Sequence, residues 1–306
     1  MKNVSRVTEH LQHRRPKGQT SLMLVPTIDG ATFYRDPHDE IWRVYRFLAG
    51  TRTYDTAGTT ALSKEAAMAF GRFQYMLSDL PAPRLHETIP DFHNTPVRFR
   101  QFHEALSSNT YDRAKHCGQE IDHALDFEAC AGSLVDLLEA GEIPERIVHN
   151  DTKINNVMFD LDTDEAVCVI DLDTVMPGIV LNDFGDLVRT ATTPAAEDEI
   201  DLEKVSMRMD YFEALVEGYL STAMEFLTNA EIDNLSLAGK IITIETGVRF
   251  LTDYLSGDEY FRIHRPQQNL DRCRAQFALV ESIDAQFEEM QQVVANSVSA
   301  MKTKAG

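Results

Sequence analysis

Two rhythms of apolar and polar positions run along this chain. Residues 3–13 (NVSRVTEHLQH) read as one helix. SLMLVPTIDG (21–30), ATFYRD (31–36) and IWRVYRFLAG (41–50) then alternate with the two-residue period of strands. Turn residues at Asp29-Gly30 and Asp36-Pro37-His38-Asp39 separate them, so a small β-meander is expected to follow the helix. TRTYDTAGTT (51–60) is polar, contains Gly58, has little periodicity and reads as a linker. From residue 61 the period is helical: an apolar stripe over 61–80 stops before Pro81. Further helices are expected near 96–107, 119–140 (ending at Gly141), 184–190, 203–225, 229–254 and 271–300. Residues 147–171 interrupt them with a loop, a strand (VMFD), a turn (LDTDE) and a buried strand (AVCVID). The pattern predicts an α+β chain. A partial N-terminal lobe over 1–50 joins through the linker 51–60 to a helical C-terminal lobe over 61–306 that carries the loop and hairpin.

Bulk composition narrows the function. The 306 residues, 43% of them hydrophobic, are enough for one large domain or two lobes with a buried core. No apolar run approaches a membrane span and the first residues hold no apolar signal core, so a cytoplasmic protein is expected. The four cysteines form no C-x-x-C pair, which argues against zinc; Cys168, inside an apolar run, reads as a core residue. Acidic residues number 49 and basic residues 29, a net charge of −20, which argues against nucleic acid as a partner. An anionic nucleotide here needs metal ions and a few local cations.

The chemistry concentrates in IVHNDTKINNVMFDLDTDEAVCVIDLD (147–173), which contains His149-x-Asp151-x-x-x-x-Asn156 and an apolar strand ending in Asp171. Phosphoryl transfer to a hydroxyl needs a carboxylate to take the proton, oxygen ligands for magnesium, and a cation beside the moving phosphoryl group. Asp151 suits the first role, Asn156 and Asp171 the second, and Lys153 the third. A hairpin closed by LDTDE brings its two base residues, Asn156 and Asp171, side by side. The plainer alternative is a loop whose Asp and Asn serve turns and caps.

HNDTKINN, VIDLDTV, DFGD and the later GVRFLTDYL, DEYF and NLDRCRAQF resemble the motifs of bacterial N-acetylhexosamine 1-kinases, members of the aminoglycoside and choline kinase superfamily. The resemblance runs from Asn3 to about Val294 and implies a protein-kinase-like bilobal fold. It implies Asp151 as catalytic base, magnesium on Asn156 and Asp171, ATP as co-substrate, and His149 as a prop for the catalytic loop. Asp183-Phe184-Gly185 spells the protein-kinase magnesium triplet, but no buried strand leads into it. Asp183 is therefore read as a cap on a helix from Phe184, with a second role bracing the catalytic loop. Asp173 either approaches the metal or is solvated.

For the acceptor, the segment 245–261 supplies Arg249, Tyr254 and Tyr260. Residue type alone leaves Arg249 equally a bridging residue and the tyrosines equally core; the resemblance favours substrate contact. Arg189 and Arg98 are weaker candidates for the acceptor, since exposed arginines usually make solvated ion pairs. The charge alone would suit a cationic acceptor such as an aminoglycoside or choline, whereas the motifs favour an N-acetylhexosamine. The resemblance also implies a glycine-rich loop and a strand lysine ahead of the first helix, with Glu9 as that lysine's partner, and an adenine hinge at Arg46, Phe47 and Leu48. The first helix begins at Met1, so a truncated N-terminal lobe is expected, with an unpaired sheet edge prone to self-association and weakened nucleotide binding. The resulting expectation is a kinase making a sugar 1-phosphate, against a kinase of another small alcohol or a catalytically impaired remnant.

Overall fold

The structure is a computed structural model that describes residues 1–15 and 20–305. Helix α1 spans Lys2–Arg14 and buries Val4, Val7 and Leu11 on one face, as the helical spacing requires. The expected meander is reduced to two-residue ladders: β1 (Leu24–Val25) pairs with β4 (Val44–Tyr45), and β2 (Tyr34–Arg35) with β3 (Ile41–Trp42). The alternating residues are mostly exposed here; Ile28, Trp42 and Phe47 stand in solvent, and without a covering layer few backbone pairs form. The expected linker opens with a strand instead of a coil. β5 (Thr51–Arg52) adds to the edge of β7, and only the residues after it connect onward.

β7 (Val157–Asp160) and β8 (Ala166–Val169) form the expected hairpin, in the sheet order β5-β7-β8. The turn closes because Asp160 Oδ1 accepts the N–H groups of Asp162 and Thr163, and Asp164 takes a positive φ of 60°. β6 (Arg146–Val148) pairs with β9 (Met176–Gly178), so the chain entering the 149–156 loop lies beside the chain leaving Asp171.

Helix α2 (Thr60–Leu77) starts where Thr59 Oγ1 accepts Leu62 N–H, and it packs along α7 (Met209–Ala223). α3 (Thr95–Ser108) is capped by Asn94 and ends on Asn109 at φ 38°. The single helix expected over 119–140 is α4 (Gly118–Phe127) and α5 (Ser133–Glu139), parted by a 3-10 turn and Gly132; it stops, as expected, at Gly141 (φ 72°). α6 spans Val180–Ala191, four residues earlier than expected. α7 starts at Met209, since Leu202–Lys204 is a separate 3-10 turn. The helix expected over 229–254 divides at Asn234 into α8 (Asn229–Asp233), closed by a Thr228/Glu231 capping box, and α9 (Leu235–Leu255). That over 271–300 divides at Gln286 into α10 (Gln268–Ala285) and α11 (Phe287–Ala305). Periodicity does not reveal such breaks, because the apolar stripe resumes in phase after one residue.

α9 is buried on nearly every side. Its first half (Leu235, Ala238, Ile241) belongs to the main core with α2, α6 and α7, and its second half (Ile244, Val248, Leu251) to a second core with α3 and α10. α6 crosses it closely at Gly185, where a Cβ would meet the Ala238 carbonyl and lie 2.7 Å from Ile242 Cγ1. The glycine of the DFG triplet is thus a packing residue. Gly185→Ala should lower unfolding free energy by about 1–3 kcal/mol. Gly58→Ala, facing open space, is its control in a denaturant titration; equal midpoints would refute the contact.

Candidate active site

His149 lies at the end of β6, fully buried between the edges of the Phe70 and Phe73 rings. Its Nδ1 accepts the Asp151 N–H at 3.3 Å, so the proton is on Nε2, which donates to the Ile170 carbonyl at 2.8 Å. One neutral imidazole therefore ties the backbone of residue 151 to the residue preceding Asp171. Asn150 takes a left-handed φ of 65° between them, with its side-chain amide donating to the Thr174 carbonyl. Asp183 closes the turn from below. Its carboxylate accepts the N–H of His149 (2.8 Å), the N–H of Asn150 (2.7 Å) and Nε2 of Gln74 (2.7 Å). Tyr219 O–H donates to Gln74 Oε1 and so orients that amide. Asp183 lies inside the first turn of α6, with Ile179 at the N-cap, so it braces the loop and caps no helix.

The expected chemical residues gather on this frame. Asn156 Nδ2 donates to the Asp151 carbonyl (2.8 Å) and to Asp151 Oδ2 (3.0 Å), while Lys153 Nζ lies 3.0 Å from Asp151 Oδ1. The Asn156 carbonyl accepts Ile170 N–H and Val157 pairs with Val169, which brings Asn156 and Asp171 to the same end of the hairpin. Asp171 is exposed at φ 57° and makes no hydrogen bond or ion pair among the described residues. Asp173 is neither free nor merely solvated: both guanidinium NH groups of Arg43 donate to it, and that bonding holds its carboxyl below the usual range.

Four further residues support the loop, and sequence reading missed their roles. Arg189, expected to be solvated, is buried and paired with buried Asp186. Burial works against both charges, yet Arg189, Lys153 and His93 together hold the Asp186 carboxyl below its ordinary value. Burial likewise opposes the Lys153 charge, and Asp186 and Asp151 more than offset it. His93, its side chain 6% exposed, links Glu245 Oε1 (2.7 Å from Nδ1) to the Asn150 carbonyl (3.1 Å from Nε2). Both partners accept only, so His93 is an imidazolium. Burial pulls its pKa down, but the Glu245 charge and hydrogen bond reverse this to a net rise. Glu245, wholly buried, also accepts Thr95 O–H; burial raises its pKa, and His93 outweighs that to a net fall. A lone carboxylate in the apolar run IITIETGV was the available signal for a buried pair; His93, in a polar loop, carried none.

The expected acceptor residues divide. The Arg249 guanidinium stacks near the rings of Phe92 (5.0 Å), Phe261 (5.5 Å) and Tyr260 (5.9 Å) at one cavity. Tyr254 is buried apart from them, stacked with Arg113 against a different pocket. Arg46, Phe47 and Leu48 precede β5, which pairs with the turn end of β7, so they lie at the far end of the hairpin from Asn156. Cys168 is buried and its thiol is pushed up to about 12 by burial, as suits a core residue.

Residues 4–222 match the phosphotransferase enzyme family. Among solved structures the chain is similar to an aminoglycoside phosphotransferase from Alicyclobacillus acidocaldarius subsp. acidocaldarius, with 16% identity and a TM-score of 0.60 over 96% of this chain and 84% of that one. It is also similar to a microcompartment-associated aminopropanol kinase, with 14% identity and a TM-score of 0.55 over 94% and 82%. A spectinomycin phosphotransferase in complex with ADP and spectinomycin matches with 14% identity and a TM-score of 0.54 over 96% and 82%. At such identities the solved structures establish the shared fold. No helix among the described residues is long and apolar enough to cross a membrane. With the family match running from α1 through the β7–β8 hairpin into α7, the chain belongs to the phosphotransferase enzyme family and is a small-molecule phosphotransferase.

Proposed function

We propose that this protein transfers the γ-phosphoryl group of ATP to the anomeric hydroxyl of an N-acetylhexosamine, giving the sugar 1-phosphate. The observation that carries the reading is the gathering of Asp151, Lys153 and Asn156 at the base of the β7–β8 hairpin, held by the His149 bridge. The ADP bound to the similar spectinomycin phosphotransferase supports ATP as the donor.

Asp151 has its two carboxylate oxygens pointed by Lys153 and Asn156, and it takes the proton of the attacking hydroxyl. Lys153 stays beside the transferring group as a cation. Asn156 and Asp171 would hold magnesium. Their donor set fits: Asn156 spends its amide N–H groups on Asp151, leaving its oxygen available, and the Asp171 carboxylate is unpaired and exposed. When bound, the ion neutralises the phosphate charge. Magnesium takes one or two protein oxygens and fills the rest with water and phosphate. Arg249 and Tyr260 contact the acceptor, and Arg46–Leu48 border the adenine. The charge of −20 favours a second reading, a cationic amino alcohol or aminoglycoside. Against it stands Arg249, whose guanidinium faces the cavity with no ion-pair partner among the described residues, while the cavity's Asp253 and Glu259 are already hydrogen-bonded.

With MgATP and a panel of N-acetylglucosamine, N-acetylgalactosamine, kanamycin and choline, a hexosamine 1-phosphate should form. Phosphorylated kanamycin or choline in its place overturns the reading. Asp151→Asn should lower kcat by about 10²–10⁴-fold while ATP affinity changes little; an unchanged kcat in the coupled assay removes Asp151 from the chemistry.

The His93–Glu245 pair sets a pH window. The His93 pKa is raised from 6.5 and that of Glu245 lowered from 4.5. The pair's stabilisation is therefore fully present between about 4.5 and 6.5. It fades as pH rises through the higher folded value of His93, and as pH falls through the lower one of Glu245. The stability difference between wild type and His93→Gln, from urea titrations across pH, should be largest in that window and shrink towards alkaline pH; a flat difference contradicts a buried imidazolium.

A further inference from the structure

A cavity of about 550 Å³ opens between α3, α9 and the 259–261 turn, with Arg98 and Arg249 both in its wall. Arg249 makes no hydrogen bond or ion pair among the described residues; three aromatic rings hold it in place. Arg98 donates only to neutral oxygens, the Phe92 carbonyl at 2.7 Å and Gln101 Oε1 at 3.0 Å, and its Nε is buried without a partner. Burial lowers the Arg98 pKa, and so does the charge of Arg249, so the two guanidiniums repel one another.

The charges of Glu245 and Asp91 offset only part of this, and no carboxylate among the described residues hydrogen-bonds either guanidinium. Asp253 is occupied by the N–H groups of Tyr260 and Phe261 and by the Asn269 amide. Glu259 accepts Tyr111 O–H, and Glu104 is exposed at the rim. Glu245 is already bound by His93 and Thr95. In a chain of net charge −20, two adjacent arginines thus face a cavity with donors unfilled. Guanidinium forks match carboxylate and phosphate oxygens, and a partly desolvated pair lacking such a partner is costly to keep.

The cavity also has a defined place relative to the chemistry. Arg249 lies one helical turn beyond Glu245, whose His93 touches the Asn150 carbonyl beside Asp151. We infer that this cavity receives an anionic substituent, a carboxylate or a phosphate, on the non-reacting end of the acceptor, held between Arg98 and Arg249. The inference rests on the acceptor-side reading of Arg249 and narrows the substrate class to an acidic form of the sugar.

The test compares N-acetylglucosamine, its 6-phosphate and its 6-carboxylate as acceptors with MgATP. Their binding to Asp151→Asn protein is measured by calorimetry at low and high salt. The acidic forms should be preferred by about tenfold or more, and less so in high salt. In Arg98→Gln and Arg249→Gln the ratio of acidic to neutral should fall towards one. Should Arg98→Gln fail to fold, Arg98→Lys, which keeps the charge and loses the fork, should show an intermediate ratio. A neutral sugar handled as well as its acidic forms, or a preference that survives both substitutions, overturns the inference and leaves the sugar kinase reading standing. If no hexosamine of any charge binds, that reading falls, and inorganic phosphate decides the inference alone. Phosphate binding weakened about fivefold or more in Arg249→Gln supports it, and unchanged binding overturns it.

Discussion

The carboxylate of Asp183 holds together a turn that the backbone would not adopt unaided. Asn150 is left-handed, and its N–H and that of His149 both point away from any ladder. Two such donors left unpaired in the interior would each cost about 1–3 kcal/mol. Asp183 accepts both, and Gln74 and Tyr219 orient it from α2 and α7. The loop is thereby anchored to three helices at one atom group, and His149 carries that anchoring across to the strand before Asp171.

A second support comes from α9. It passes from one hydrophobic core into the other, and Glu245 lies at that passage. A carboxylate there is tolerable only because His93 and Thr95 satisfy it. The result is a charged rod, Glu245–His93–Asn150 carbonyl, between α9 and the 149–151 turn. Asp186 and Arg189 do the same on the other flank beneath Lys153. The 149–156 loop is thus held by buried charge pairs in a protein of net charge −20.

Much of this was legible in the chain itself. The helix at 3–13, the helix from 61, the hairpin closed by LDTDE and the stop at Gly141 follow from local spacing and turn chemistry, and so does the meeting of Asn156 with Asp171. The one-residue breaks at Asn234 and Gln286 did not show, because they leave the apolar phase intact. The meander shrank because alternation promises a strand only where a second layer covers its apolar side.

Residue identity and spacing along the chain determined which groups are the candidates for chemistry here: a carboxylate, an amide and a lysine within one short loop, and a second carboxylate a hairpin away. Tertiary structure alone decided which polar residues hold that loop. Gln74, His93, Asp183 and Glu245 come from four distant segments, and their value depends on where each donor and acceptor meets a partner. A hydrogen bond across 150 residues leaves no period in a sequence; only packing brings its two ends within 3 Å.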